Sequence, residues 1–188
     1  MVFLLSVPLL ISPAAAWDVQ NHQDIASKVY YSLPQSVQQK LDLNEMKRGS
    51  IAPDVVFKDY NPNHQYPASA TQAQIWINKA KKAYKSKDYK YASYCFGVAS
   101  HYITDTFSAP HAVAGETLAQ HVAYENQAIK MKPSIRYKSG SLSSLLKYGY
   151  LQGRQDWSLW LKTKSTSIPQ RDLNNAGSAA YSIIRNCF

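Results

Sequence analysis

The sequence predicts an all-α domain of about six or seven helices, on three observations. Apolar residues recur at helical spacing through most of the chain. Strand evidence is poor, with few β-branched runs and no Asn-Gly or Asp-Gly hairpin turn. Seven Gly and nine Pro in 188 residues, with 45% hydrophobic and 18% charged residues, exclude collagen-like and disordered chains. Residues 24–33 run as a first helix toward Pro34, and 36–43 carry Val37, Leu41 and Leu43 as a second. A loop is expected from there to about residue 70. Thr71 can cap a helix holding Ala73, Ile75, Trp76, Ala80 and Tyr84. Residues 88–107 read as a long buried helix stopped by Pro110. Residues 118–129 make another, ending before Pro133. Residues 141–161 place Leu145, Leu146, Trp157 and Trp160 at core spacing, with a break expected at Gly149 or Gly153. Residues 173–184 close the fold.

Residues 1–16, MVFLLSVPLLISPAAA, combine an apolar stretch with a small-residue end at Ala14-Ala15-Ala16. They read as a secretory signal peptide cut before Trp17, which makes residues 17–188 the domain and the protein secreted. The stretch is shorter than the ~20 apolar residues of a spanning helix, and an uncleaved anchor is the alternative. Export permits a disulfide between Cys95 and Cys187; two buried thiols are the other reading. Two cysteines make no thiolate zinc site, so any metal is held by nitrogen and oxygen.

Twenty-one Lys and Arg against twelve Asp and Glu give a net charge of +9, which favours anionic partners: nucleic acid, acidic lipid or phosphate esters. Lys79, Lys81, Lys82, Lys85, Lys87 and Lys90 crowd one region. That run reads as the solvated side of an amphipathic helix, with contact to an anionic surface as the functional alternative.

The chemistry lies in the histidines. All five, His22, His64, His101, His111 and His121, stand in patterns that metal chemistry uses. His101 and Asp105 are four apart in a buried helix and emerge on one face; His121 and Glu125 repeat the spacing on the next helix. His111 follows Pro110, where the chain can turn an imidazole back. Asp54 and His64 sit in the long loop and can fold over the helices. One such pair alone is as well explained by core hydrogen bonding as by metal. Their joint gathering is not, since each buried carboxylate needs compensation that a multi-metal site supplies. Imidazole and carboxylate in this set suit zinc.

These residues resemble the zinc-dependent phospholipases C and the related zinc-dependent single-strand nucleases. Trp17, His22, Asp54, His64, then His101-x3-Asp105-x5-His111 and His121-x3-Glu125 follow the signature of that group from Trp17 to Glu125. The resemblance implies an all-α fold with a trinuclear zinc cleft. By position, Asp54, His64, His101 and Asp105 would hold one zinc, and His111, His121 and Glu125 a second. The amine and carbonyl of Trp17, with His22 and the other oxygen of Asp105, would hold a third, the amine becoming a ligand only once residues 1–16 are removed. Three Zn²⁺ against three carboxylates leave the cleft roughly +3, which draws a phosphodiester. Asp54 is the expected catalytic residue, accepting or orienting the proton of the attacking water.

The implied activity is hydrolysis of the glycerol–phosphate ester of phospholipids at a membrane surface. Cleavage of single-stranded nucleic acid is the alternative, and a non-catalytic zinc-binding surface module is the alternative of another class. No obligate protein partner is evident. His121-x3-Glu125 and the GSIAPD run favour the phospholipase side, whereas the five-residue step from Trp17 to His22 looks like the nuclease side. The intervals from Asp54 to His64 and from His111 to His121 are short for either, which suggests trimmed loops around the cleft.

Overall fold

The computed structural model describes residues 17–59 and 62–188. The expected signal peptide, residues 1–16, lies outside them. Among the described residues the protein is all-α, with seven helices of eight or more residues: α1 (Val19–Ser32), α3 (Leu43–Ser50), α4 (Ala68–Lys85), α5 (Tyr89–Asp105), α6 (Leu118–Ala128), α7 (Leu142–Thr163) and α8 (Ser167–Arg185). A single turn, α2 (Gln35–Gln38), follows α1. A π-turn (Pro53–Phe57) and a 3₁₀ turn (Ala109–Ala112) complete the order. No described helix is long and apolar enough to cross a membrane.

Helix α5 is the centre of the fold. From Ala92 to Asp105 every residue except Tyr94 is buried, with α1, α3, α4 and α8 packed round it. Two glycines allow the closest crossing. A Cβ on Gly97 of α5 would lie 2.1 Å from the carbonyl oxygen of Met46 in α3, and one on Gly49 would lie 2.1 Å from that of Tyr94. The backbones therefore touch here as only glycine permits, and α3 delivers the carbonyl of Ser50 to the inner end of α5.

Several expected boundaries are corrected. Helix α1 starts at Val19 rather than at residue 24, because the Asp18 carboxylate accepts from the Gln20 amide. The helix expected over 36–43 is only the turn α2, since Asp42 accepts from the Glu45 amide and starts α3. The expected loop up to residue 70 thus contains α3 and the π-turn, and α4 begins at Ala68 without a cap from Thr71. Helix α7 runs unbroken. Gly149 and Gly153 face the Phe107 ring and Ala112, where a Cβ would lie 2.7 and 2.9 Å away, so they serve packing and not a break. Helix α8 starts at Ser167, with Pro169 in its first turn, where no amide is needed for the helix. The two cysteines are free thiols, so the disulfide reading is not met; Cys95 is buried as the alternative expects, whereas Cys187 is half-buried and donates to the Ile183 carbonyl.

Residues 132–141 carry no helix or strand, yet alternate amides of the segment are satisfied by α8. The amides of Ser134, Arg136 and Lys138 donate in turn to Asn174 Oδ1, Ser178 Oγ and Ser182 Oγ, a ladder spaced four residues apart along α8. Helix spacing here matches alternate residues of an extended strap, a device that straps the segment onto α8 without a sheet.

Candidate metal centre

The last two turns of α5 change character from apolar to polar: Ser100, His101, Thr104 and Asp105 are all buried. Asp105 is fully buried and sits among three imidazoles. Its Oδ2 lies 2.7 Å from His64 Nδ1 and 3.1 Å from His101 Nε2; its Oδ1 lies 3.3 Å from His22 Nε2. One carboxylate therefore divides its oxygens between two sets of imidazoles. Asp54, in the π-turn, reaches the same place, with Oδ1 3.5 Å from His101 Nε2 and 3.8 Å from His64 Nε2. The His22 and His101 rings stack at 4.0 Å. The second group forms where the 3₁₀ turn meets α6: His111 and His121 stand 5.0 Å apart ring to ring, and His121 Nε2 lies 2.7 Å from Glu125 Oε1.

The backbone and one hydroxyl orient the rings. His101 Nδ1 lies 2.8 Å from the Ser50 carbonyl, His22 Nδ1 3.2 Å from the Thr104 hydroxyl, and His111 Nδ1 3.4 Å from the His64 carbonyl. The Thr104 hydroxyl itself donates to the His101 carbonyl, so it accepts from His22. In His22, His101 and His111 the Nδ1 proton is thus engaged and Nε2 turned inward, the arrangement by which a protein prepares imidazole for a metal.

Burial pushes the His22 and His111 imidazoles down to about 3, so both are neutral at pH 7. Burial acts on His101 in the same direction, but the carboxylates of Asp105 and Asp54 outweigh it and raise this ring to about 10. Burial would raise Asp105; the His101 and His22 rings win and hold it well below the usual carboxylate range. Glu125 is raised to about 8 by burial, which its bond to His121 only partly offsets.

A metal fits this arrangement on the chain's own evidence. The Nε2 atoms of His22, His64 and His111, and Oδ1 of Asp105, are buried without a hydrogen-bond partner. Leaving such groups bare costs about 1–3 kcal/mol each, a cost that a cation removes. Ligand atoms of three sets lie within 4.8 Å of one another: His22, His101 and Asp105; Asp54, His64 and His101; and His111, His121 and Glu125. All eight side chains expected from the sequence as ligands are brought into these sets. Trp17 is brought alongside: its ring is fully buried, and Nε1 donates to the carbonyl of Thr104, the neighbour of Asp105.

The sequence reading missed the supporting groups. Thr104, the Ser50 carbonyl and Tyr102, whose hydroxyl donates to Asp59 at 2.6 Å, shape the centre and carry no spacing signal of their own. The Asp42-Leu43-Asn44-Glu45 cap was the signal that could have revealed α3, and with it the Ser50 carbonyl.

A comparison with curated proteins returned no match. The family model for zinc dependent phospholipase C matches residues 21–175, a span that runs from α1 into α8 and includes both halves of the His and carboxylate centre. The His and carboxylate sets are of the kind that hold zinc, the cofactor of that family. The chain therefore belongs to the zinc-dependent phospholipase C family and is a zinc-dependent phosphoric diester hydrolase of the phospholipase C type.

Proposed function

We propose that this chain is a secreted enzyme that hydrolyses the glycerol–phosphate ester of phospholipids, releasing diacylglycerol or its ether analogue and a phosphorylated head group. The carrying observation is the convergence of the His22, His64 and His101 rings on the two oxygens of Asp105, in a centre where further ring nitrogens of His64 and His111 are buried without a hydrogen bond. Asp54, His64, His101 and Asp105 would hold one zinc and His111, His121 and Glu125 a second. Trp17, through its amine and carbonyl, His22 and Asp105 would hold a third. Zinc bound there supplies a Lewis acid for the phosphoryl oxygen and lowers the pKa of the attacking water from 15.7 toward about 7.

The chain's own groups do the rest. Asp54 lies at the edge of the centre, and its bond to His101 helps hold its carboxyl below the ordinary value against the opposing effect of burial, so it stays ionised. In that state it accepts or orients the proton of the water that attacks phosphorus. Asp105 fixes three rings, while Thr104 and the Ser50 carbonyl hold the inward nitrogens of His22 and His101 in place. Burial of the Trp17 ring against Thr104 supports a role for its main chain beside His22, one that requires residues 1–16 to be removed.

The test uses protein beginning at Trp17, assayed on a phosphocholine ester and on single-stranded DNA, with and without chelator. Chelator-sensitive hydrolysis of the phosphocholine ester is expected. Asp54→Asn should lower turnover by about 10²–10⁴-fold while keeping its zinc. Cleavage of DNA alone, zinc without any hydrolysis, or unchanged turnover in Asp54→Asn would each overturn the corresponding part of the proposal.

A further inference from the structure

Immediately after Asp54 the chain turns its apolar side chains outward. Val55 and Val56, in the π-turn, are 50% and 61% exposed, and Phe57 follows them at the surface. Isolated exposed apolar residues are ordinary; these are not isolated. The Phe57 ring stacks on Trp76 of α4 with centroids 5.6 Å apart, and Ile75 beside it is exposed. Trp76 in turn meets Tyr94 of α5 edge-on at 6.3 Å. The turn is held firmly, since the amides of Lys58 and Asp59 both donate to the Pro53 carbonyl.

Cations rim this apolar ridge. Lys79 Nζ lies 3.8 Å from the centroid of Trp76, the Arg48 guanidinium 4.6 Å from that of Tyr94, and Lys58 and Lys82 are exposed nearby in sequence. Of the carboxylates in this region, Glu45 is taken up by Arg48 and Lys90, Asp88 accepts from the Tyr91 amide as the cap of α5, and Asp59 accepts from the Tyr102 hydroxyl. Aliphatic tips, aromatic rings and long cationic side chains in one surface are what the interface of an anionic bilayer accepts: rings at the head-group level, ammonium groups on phosphates. Protein interfaces are depleted in lysine, and valines offer nothing to a nucleic-acid base, so the mixture fits lipid better than either.

We propose that the π-turn and the adjoining face of α4 form a membrane-docking surface for anionic phospholipid bilayers, which sets the mouth of the centre against the membrane. The proposal rests on the phospholipase reading for what the enzyme does once docked, and on the surface alone for docking itself. Asp54 is one peptide bond from Val55, so a bilayer docked on this turn would lie beside the centre.

The experiment is sedimentation of protein beginning at Trp17 with phosphatidylcholine vesicles containing about 30% phosphatidylglycerol, beside hydrolysis of a short-chain phosphatidylcholine kept monomeric. Lys79→Glu with Lys82→Glu should weaken vesicle binding at least about 25-fold, roughly fivefold per lysine. Hydrolysis of the monomeric substrate should stay within about twofold of the parent, since neither side chain lies in the centre. A second reading comes from tryptophan fluorescence. Of the four Trp, 17, 157 and 160 are buried, so quenching by vesicles with brominated acyl chains should come from Trp76 and vanish in Trp76→Phe. Unchanged vesicle binding, quenching that survives Trp76→Phe, or a parallel loss on the monomeric substrate would overturn the proposal. So would a loss of single-stranded DNA binding with vesicle binding intact. Binding is read without turnover: a protein that cleaves no phospholipid but loses vesicle affinity in the lysine variant would refute the phospholipase reading and keep the docking surface.

Discussion

Two buried carboxylate clusters flank α6, and they are completed in opposite ways. In the centre that includes Asp105, three imidazole nitrogens, of His22, His64 and His111, and one oxygen of Asp105 are sealed from water without a hydrogen bond. Around Asp156 and Asp172 the chain completes itself: Asp156 accepts from Gln152 and from Arg171, and Asp172 accepts from the Tyr124 hydroxyl at 2.5 Å. Burial and the neighbouring Asp156 carboxyl push Asp172 well above the usual carboxylate range. Tyr124 and Glu125 are adjacent residues, yet one serves each cluster. Buried carboxylates by themselves therefore do not mark a metal centre. Inward-facing ligand atoms that the chain leaves unmatched do.

That contrast is open to direct attack. The largest effect is expected from Asp105→Asn, which removes the charge facing His22, His64 and His101. It should lose at least one zinc and more than about 10³-fold of the activity, measured by metal analysis and turnover on a phosphocholine ester. The corresponding lesion in the other cluster, Asp172→Ala, leaves the Tyr124 hydroxyl without its partner. It should cost about 1–3 kcal/mol in denaturant unfolding while zinc content is unchanged. Loss of zinc in Asp172→Ala would erase the distinction between the clusters.

The smallest effect separates them by pH. In metal-free protein, His101 at about 10 and Glu125 at about 8 hold protons that the unfolded chain, at 6.5 and 4.5, has released. Between pH 6.5 and 8 the native state therefore binds more protons than the unfolded state, and stability must fall as pH rises. A melting temperature lower by about 3 °C or more at pH 8 than at pH 6.5 is expected, with a smaller fall once zinc is bound, because zinc favours the deprotonated ligands. His22 and His111, driven to about 3, act with the opposite sign, most strongly below pH 6.5 and fading above it.

What the sequence revealed follows the range of each interaction. The centre was legible because its chemistry is local: His101 with Asp105 and His121 with Glu125 are one helical turn apart, and only nitrogen and oxygen ligands were available. Helices α5 and α7 were legible from long apolar stripes. Helix α3 was not, because its eight residues bury only Met46, Gly49 and Ser50, too short a stripe to stand out from a loop. Gly149 and Gly153 looked like a break because their use depends on Phe107 and Ala112, distant in sequence. The ladder of Asn174, Ser178 and Ser182 and the pairing of Asp156 with Asp172 are likewise long-range matches between ordinary polar residues, without any spacing that distinguishes them.

Zinc stoichiometry in protein beginning at Trp17, purified without chelator, tests the central claim most directly. The account predicts three zinc ions per chain, falling to two when residues 1–16 are retained. Protein that is folded and active with no zinc would contradict it outright.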